Sequence, residues 1–226
     1  RGKIFTKVGR EIAVAAKNNP DPTTNSKLAD AIAKAKAANM PNDNIKRCIA
    51  KAAGELAGDN FEELTYEGYG IGGSAVIVKT LTDNKNRTVG DVRHIFDKYG
   101  GSLGTSGSVS FMFENEGVIV VERTVDMDED SMMELALEAG ADDVITMDDA
   151  YEIRTNPGDF SAVRKYLEGK GMSFIEADIC MIPNDKITLN DEQLVTFGKM
   201  LDAFDDNDDV QEVYHNVDLP EDEEEE

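Results

Sequence analysis

The sequence contains no tryptophan and only two cysteines, Cys48 and Cys180, in 226 residues. The cysteines lie far apart without metal-ligand neighbours, so we interpret them as reduced, small apolar residues rather than a disulfide or zinc pair. No apolar run approaches the roughly eighteen residues of a membrane span, and no secretory signal is visible. These absences predict a cytoplasmic protein without a membrane partner.

The sequence also lacks a recognisable catalytic or metal-binding pattern. Residues 68–73 match the dinucleotide motif GxGxxG, but they lead into a predicted strand, whereas that motif must open a helix. Residues 100–108 are rich in glycine and serine but carry no lysine for a phosphate-binding loop. His94 and His215 stand alone, without a paired carboxylate or cysteine. We therefore predict a protein that is not an enzyme and uses no metal or cofactor.

Positive charge is scarce overall, with 23 Lys and Arg against 46 Asp and Glu and a net charge of −23. It is concentrated at the start of the chain. Residues 1–54 contain eleven basic and four acidic residues, a net charge of +7, and the remaining residues carry −30. Such asymmetry is typical of proteins in which one part contacts nucleic acid. We place the boundary near residues 54–59.

The basic segment has helical periodicity in three stretches, over residues 3–17, over 26–39 and after the break at 40–43. Cations fall on the faces opposite the apolar stripes. Two alternatives remain open: the cations form the solvated face of a small bundle, or they contact phosphate. The shortage of acidic residues favours phosphate contact, because solvated faces usually carry both signs. The predicted contacts are Lys3, Lys7, Arg10, Lys17, Lys27, Lys34, Arg47 and Lys51.

The acidic part has the pattern of two α/β domains. One predicted series comprises strands at 117–122, 143–147, 151–154 and 173–182 with helices at 130–139 and 159–170, which is the ferredoxin-like order β-α-β-β-α-β. Strands at 74–82, 109–113 and 210–217 with helices at 86–99 and 191–204 form a similar domain around it. The fold class is therefore α+β, with an N-terminal three-helix domain and two ferredoxin-like domains, the third inserted into the second. The predicted domains are 1–57, 58–115 with 184–218, 116–183, and a disordered acidic tail at 219–226.

The segment 82–88 carries two cations within the acidic part. Thr88 and Asp91 have the spacing of a capping box, which predicts helix initiation there. Alternatively, Lys85 and Arg87 form a second phosphate-contacting loop. The sequence favours neither alternative.

Five motifs resemble those of the YebC/PmpR family across almost the whole chain. They are RGKIFTK at 1–7 followed by GREI, AKAKAANMPNDNIKR at 33–47, YEGYG at 66–70, TDNKNRT at 82–88, and GGSLG with GSVSFMF at 100–113. The resemblance implies three domains and no enzymatic activity. It also implies a role as a DNA-binding transcriptional regulator, as bacterial members are usually assigned, or as a ribosome-associated translation factor, which other members resemble, while the mitochondrial members look like translational activators of a cytochrome oxidase subunit.

The chain departs from the family pattern in three places. A further basic N-terminal stretch containing Gly-His-Ser-Lys-Trp is absent, Ile71 replaces a more common proline, and Ala29 replaces a frequent basic residue. The expected partners are DNA or ribosomal RNA, together with ribosomal or transcription proteins, and a monomer is favoured. An alternative of another class is a protein-interaction or small-ligand regulatory module that uses the ferredoxin-like domains.

Overall fold

The computed structural model describes residues 2–54 and 60–220. The chain forms two units, one comprising segments 1–60 and 115–180 and the other 61–114 and 181–226. The helices are α1 (Gly2–Ala16), α2 (Ser26–Ala37), α3 (Asn42–Ala53), α4 (Lys85–Lys98), α5 (Glu129–Ala139), α6 (Phe160–Gly169) and α7 (Asp191–Asp205). The strands are β1 (Glu62–Tyr69), β2 (Ala75–Thr82), β3 (Ser102–Leu103), β4 (Phe113–Glu122), β5 (Asp143–Thr146), β6 (Ala150–Thr155), β7 (Glu176–Pro183) and β8 (Val210–His215).

This element order confirms the predicted α+β class, with three N-terminal helices followed by two sheets. The exact domain limits stay a prediction, and the proposed boundary at residues 57 and 58 lies outside the described residues. Of the predicted acidic tail, only 219 and 220 are described, and both are exposed without regular structure. No helix in the described segments is long and apolar enough to cross a lipid bilayer.

The three helices α1–α3 form the module that we call the head. Apolar side chains one or two turns apart on each helix meet in one core that includes Val8, Ile12, Leu28 and Ile45. The side chain of Asn25 caps α2 by accepting a hydrogen bond from the backbone N–H of Leu28. Small alanines on the packed faces allow the helices to approach closely. The head is therefore a compact scaffold whose outer faces carry the cations.

The inserted domain, built from β4–β7, α5 and α6, has the strand order β5-β6-β4-β7. This order matches the ferredoxin-like arrangement that the sequence predicts. Its core contains Ile119, Tyr151, Ile153, Phe160 and Leu167, all of them almost fully buried. The inserted domain belongs to the same unit as the head.

The second unit contains a strand that the sequence analysis did not predict. Strand β1 pairs antiparallel with β2, and the sheet order β3-β1-β2-β8 places this hairpin at the centre. Helices α4 and α7 supply the core residues Phe96, Phe197 and Phe204. The first two residues of the GxGxxG segment at 68–73 end β1, and the others form the tight turn of this hairpin, so the segment does not open a helix. Gly72 has a φ of 69°, a backbone conformation that favours glycine.

A predicted strand at residues 109–113 was also wrong in its extent. Residues Ser110–Met112 form a short 3-10 helix, and the strand begins only at Phe113 and continues to Glu122. The predicted strands at 109–113 and 117–122 are therefore replaced by one turn and one long strand. The turn results from hydrogen bonds between its backbone and the carboxylate of Glu67, which no local pattern indicates.

Candidate nucleic-acid interface

Helix α3 presents a cationic face to solvent. Lys46, Arg47 and Lys51 are exposed; Arg47 and Lys51 are one turn apart and lie on the same side of the helix, and Lys46 lies about 100° around the helix from Arg47. Arg47 donates hydrogen bonds to the side chain of Asn44 and, at 3.4 Å, to the backbone carbonyl of Asp43. Within the described segments, none of these three cations forms an ion pair. Their charges therefore remain available to an external anion.

The half-buried thiol of Cys48 lies under this face. Burial raises the pKa of Cys48, although the positive charges of Lys51 and Arg47 act in the opposite direction. The thiol therefore stays protonated at neutral pH. This finding agrees with the interpretation of Cys48 as a small apolar residue, which is also its packing role beside the head core.

The other two helices and their connection add further exposed cations. Lys17 donates a hydrogen bond to the side chain of Asn60. Within the described segments, Lys27 and Lys36 form no ion pair. The exposed head cations are Lys3, Lys17, Lys27, Lys36, Lys46, Arg47 and Lys51. Lys36 and Lys46 were not among the predicted contacts, although both stand in the motif at 33–47 and on hydrophilic positions of their helices.

The acidic residues of the head do not balance this charge. Asp21 and Asp43 are exposed, whereas Glu11 and Asp30 are half-buried and engaged in ion pairs. Hydrogen bonds from the side chain and backbone of Thr23 lower the pKa of Asp21, so it is fully ionised at neutral pH. Seven exposed cations against two exposed carboxylates leave a clear positive surplus on the surface of the head.

Two predicted contacts on α1 are less accessible. Lys7 is buried and Arg10 is half-buried, whereas Lys3 on the same helix is exposed. Both Lys7 and Arg10 already make contacts within the protein. Lys3 also makes a contact within the protein but is exposed, whereas a phosphate would reach Lys7 only after the side chain left its buried position.

Lys34 is held by two carboxylates. Its Nζ lies 2.9 Å from Glu11 Oε1 on α1 and 2.8 Å from Asp178 Oδ2 on β7 of the inserted domain. These carboxylates neutralise Lys34, so a phosphate would have to displace one of them. The contacts give Lys34 a role in attaching the head to the inserted domain.

A second ion pair strengthens this attachment, and we call it the clamp. Asp30 Oδ1 on α2 accepts a hydrogen bond from Arg164 Nε at 2.8 Å, and Asp30 Oδ2 accepts one from Ser161 Oγ at 2.6 Å. Arg164 on α6 is only 4% exposed and also pairs with Glu168 at 2.9 Å. The clamp therefore joins an acidic residue of the basic head to a basic residue of the acidic inserted domain.

Of the two cations in the predicted second loop, Arg87 is engaged in hydrogen bonds within the protein and Lys85 is exposed. Arg87 donates two hydrogen bonds to the carboxylate of Asp209, at 3.0 and 2.8 Å, and one to Asp83 at 2.9 Å. The hydrogen bonds from Arg87 to Asp209 and then to Asp83 raise the pKa of the guanidinium above its ordinary value. Lys85 is exposed at the start of α4. Arg87 thus stabilises the loop, and Lys85 remains the accessible cation.

The capping box predicted for Thr88 and Asp91 was wrong. Helix α4 begins at Lys85, and its cap is Asn84, whose side chain accepts from the backbone N–H of Arg87. Thr88 is buried inside the helix, where its hydroxyl contacts Asp209 and Thr82. Helix initiation therefore occurs one turn earlier than the pattern indicates.

The two histidines lie on different elements of the second unit. His94 is exposed on α4. His215 is the last residue of β8, and its ring packs edge-on against the ring of Phe197, with the ring centroids 4.9 Å apart. Burial, with a smaller contribution from the positive charge of Lys186, lowers the pKa of His215. The described segments contain no group of three or more His, Cys, Asp or Glu side chains able to hold a metal ion.

An open surface cavity of about 610 Å³ lies in the inserted domain. Asp128, Glu129, Asp130 and Asp148 line it, together with Arg123 and Tyr151. Arg123 is already engaged with the backbone carbonyl of Met147 at 3.1 Å and with Glu129 at 3.5 Å. Small-molecule sites are mostly apolar, so this acidic cavity gives little support to a small-ligand role.

Comparison with known proteins identifies the family. The model of the TACO1/YebC protein N-terminal domain matches residues 1–55, and the model of the TACO1/YebC second and third domain matches residues 61–217. The chain therefore belongs to the TACO1/YebC family, which confirms the resemblance seen in its motifs.

Particular relatives carry a functional name. The chain is 55% identical over 222 residues to a "Probable transcriptional regulatory protein ORF2U" of Hathewaya histolytica, which covers 98% of this chain and 90% of that protein. It is 56% identical over 218 residues to a "Probable transcriptional regulatory protein" of Acetivibrio thermocellus, and this match covers 96% of this chain and 90% of that protein. The crystal structure of a conserved hypothetical protein from Aquifex aeolicus has a TM-score of 0.85 and 43% identity, covering 100% of this chain and 93% of that one.

Proposed function

We propose that this protein is a non-enzymatic regulator of gene expression that acts in the cytoplasm and binds nucleic acid through its basic head. The observation that carries the proposal is the surplus of exposed cations on the head, most clearly Lys46, Arg47 and Lys51 on α3. The names of the relatives support a regulatory role. When the lysines and arginines of the head neutralise phosphates, the counterions condensed on the nucleic acid are released, which favours binding.

The recognition is of the nucleic-acid backbone rather than of base sequence. The head offers cations, which position a protein on phosphates but carry no sequence information. Phe5, its one aromatic residue, is half-buried against the head core, so it does not offer an exposed stacking face. Backbone and shape recognition suits structured RNA, including ribosomal RNA, as well as DNA.

The predicted contacts can be ranked by accessibility. Exposed cations contribute most, and the proposed set therefore gains Lys36 and Lys46. Lys7 and Lys34 contribute least, because one is buried and the other is neutralised by two carboxylates. In the second unit, Lys85 is the proposed contact, while Arg87 positions the loop that carries it. The remaining proposed contacts are Lys3, Arg10, Lys17, Lys27, Arg47 and Lys51.

Charge reversal on α3 tests the proposal. The variant combines Lys46→Glu, Arg47→Glu and Lys51→Glu, and binding to duplex DNA and to structured RNA is measured over a range of salt concentrations. With about six phosphate contacts in the parent, log affinity should fall against log salt with a slope near −5, and the variant should lose about half of that slope.

The control for this experiment reverses three exposed cations of the second unit, Arg93, Lys98 and Lys199. It changes the net charge by the same amount but leaves the head intact, so its affinity should fall much less. Equal losses in the two variants would show that only net charge matters, and unchanged affinity of the α3 variant would refute the proposal. Crosslinking in living cells, followed by sequencing of the captured nucleic acid, then decides between DNA and RNA.

A further inference from the structure

The segment 99–113, which we call the uncharged loop, contains no charged residue, although 31% of the chain is charged. It is not a buried segment. Ser102, Phe111 and residues 104–107 are all exposed. An exposed segment of this length normally carries charges that keep it soluble. An exposed segment without charged side chains, in a chain of net charge −23, is therefore a distinctive feature of the second unit.

A buried carboxylate fixes the shape of the uncharged loop. Glu67 on β1 is 6% exposed and accepts hydrogen bonds from the backbone N–H groups of Gly107 at 2.6 Å, Val109 at 3.1 Å and Ser110 at 2.6 Å. Burial alone would raise the pKa of Glu67, but these hydrogen bonds outweigh it and hold the pKa below the ordinary value. The loop is thus ordered by a charge that does not reach the surface.

Two aromatic side chains flank the exposed part of the loop. Phe111 is 69% exposed, directly after the residues that bind Glu67. Tyr69 is 37% exposed, and its hydroxyl donates to the backbone carbonyl of Ser108 at 3.4 Å. Between them, Thr105 and Ser106 present exposed hydroxyls. Within the described segments, the backbone N–H groups of Thr105 and Ser106 have no hydrogen-bond partner.

We propose that the uncharged loop is a binding site for an unpaired nucleotide, with the base stacked on Phe111 and the phosphate accepting hydrogen bonds from Thr105 and Ser106. Aromatic faces stack with unpaired bases of any sequence, and backbone N–H groups with hydroxyls bind phosphate oxygens. This proposal rests on the proposed function, because it adds a second contact with the same nucleic acid.

A nucleotide is chosen because the exposed segment has no acidic side chain and because the carboxylate of Glu67 beneath it is already engaged by three backbone N–H groups. An acidic group at this surface would repel a phosphate at short range, whereas a protein partner imposes no such exclusion. The site also lacks cations, so its contribution to affinity should come from stacking and neutral hydrogen bonds. It should therefore be nearly independent of salt, in contrast to the head.

The test compares an oligonucleotide hairpin that has unpaired loop bases with a fully paired duplex, each prepared as RNA and as DNA. The variant is Phe111→Ala, and Val195→Ala, another exposed apolar residue of the second unit, is the matched control. Phe111→Ala should weaken hairpin binding about tenfold or more, which is the size of one lost stacking contact. Binding of the duplex and the slope against salt should not change.

Phe111→Tyr keeps a stacking face and should bind the hairpin like the parent, which separates stacking from misfolding. Ser106→Asp places a carboxylate in the loop and should also weaken hairpin binding. Equal affinities of the parent and Phe111→Ala for the hairpin would overturn the proposal, as would equal losses for hairpin and duplex. The α3 variant tests the head separately, because it should lose affinity for both oligonucleotides together with its salt slope. Loss of hairpin binding confined to RNA or to DNA identifies the source of the nucleotide.

Discussion

The clamp between Asp30 and Arg164 joins two modules of opposite charge, and its removal should loosen them. Arg164→Met preserves most of the side-chain volume but removes the two hydrogen bonds that the guanidinium donates, one to Asp30 and one to Glu168. The carboxylate of Asp30 then stays half-buried with only Ser161 as a neutral partner. Breaking a fully buried ion pair costs about 3–5 kcal/mol. Because Asp30 retains partial contact with water, we expect a loss of about 2–3 kcal/mol.

Hydrogen exchange is the appropriate assay, because a chain of two units need not unfold in one step. The protection of backbone amides in α2 and α6 reports the local free energy of opening. Each 1.4 kcal/mol lost corresponds to a tenfold faster exchange, so exchange in Arg164→Met should be about 30-fold to 140-fold faster there. The amides of α4 and α7, which belong to the second unit, should keep their protection.

A double-mutant cycle with Asp30→Ala isolates the interaction. The double variant should be little worse than either single variant, since each single change already breaks the pair. Arg154→Met is the control, because Arg154 pairs with Glu116 and Glu152 inside the inserted domain and does not contact the head. A coupling energy below about 0.5 kcal/mol, or equal loss of α2 protection in the control, would refute the reasoning.

Two further predictions concern the second unit. Arg87→Ala removes both hydrogen bonds to Asp209, a carboxylate that is 3% exposed, and should lower the melting temperature; Arg87→Lys should lower it less, because a lysine retains the charge but not the two-pronged geometry. An equal effect of both changes would contradict this. The pKa of Glu67 is lowered in the folded state, so its stabilising contribution is present above its ordinary value of 4.5 and is lost as the pH falls below it. The Glu67→Gln variant should therefore have a lower melting temperature than the parent at pH 7, and its melting temperature should change less between pH 7 and 3. Parallel curves of melting temperature against pH for the two proteins would argue against this role.

The parts of the fold that depend on local pattern were predictable. Helices of the head and the β-α-β-β-α-β series repeat apolar residues at regular spacing, and the structure has both. Strand β1 was not predicted, because its sequence, EELTYEGY, has charged residues at three positions, including the buried Glu67. Its place at the sheet centre results from pairing with β2, and pairing is not visible in the strand's own composition.

For the candidate nucleic-acid interface, the sequence predicted a surplus of positive charge on the head but not which cations are accessible. Sequence spacing put Lys34 on an outer face of α2, but it could not show that Asp178, far along the chain, lies 2.8 Å away. In the same way, Arg87 stands beside Lys85 in sequence, yet only Arg87 reaches Asp209. Lys46 is unremarkable in sequence and becomes a candidate through its exposure and the absence of an ion pair within the described segments. Accessibility and long-range neutralisation, rather than residue type, decide which cations can meet a phosphate.

The two ends of the inserted domain meet at one point of the second unit, where the backbone N–H of Asn184 donates to the carbonyl of Met112 at 2.9 Å. A loop of a few residues would span this distance, so the second unit could be closed without the inserted domain, with loss of the contacts of Arg164 and Asp178 that hold the head. What remains would still have a four-stranded sheet, two covering helices and its own core. The protein thus offers an insertion point at which a foreign domain could be carried without interrupting the host sheet.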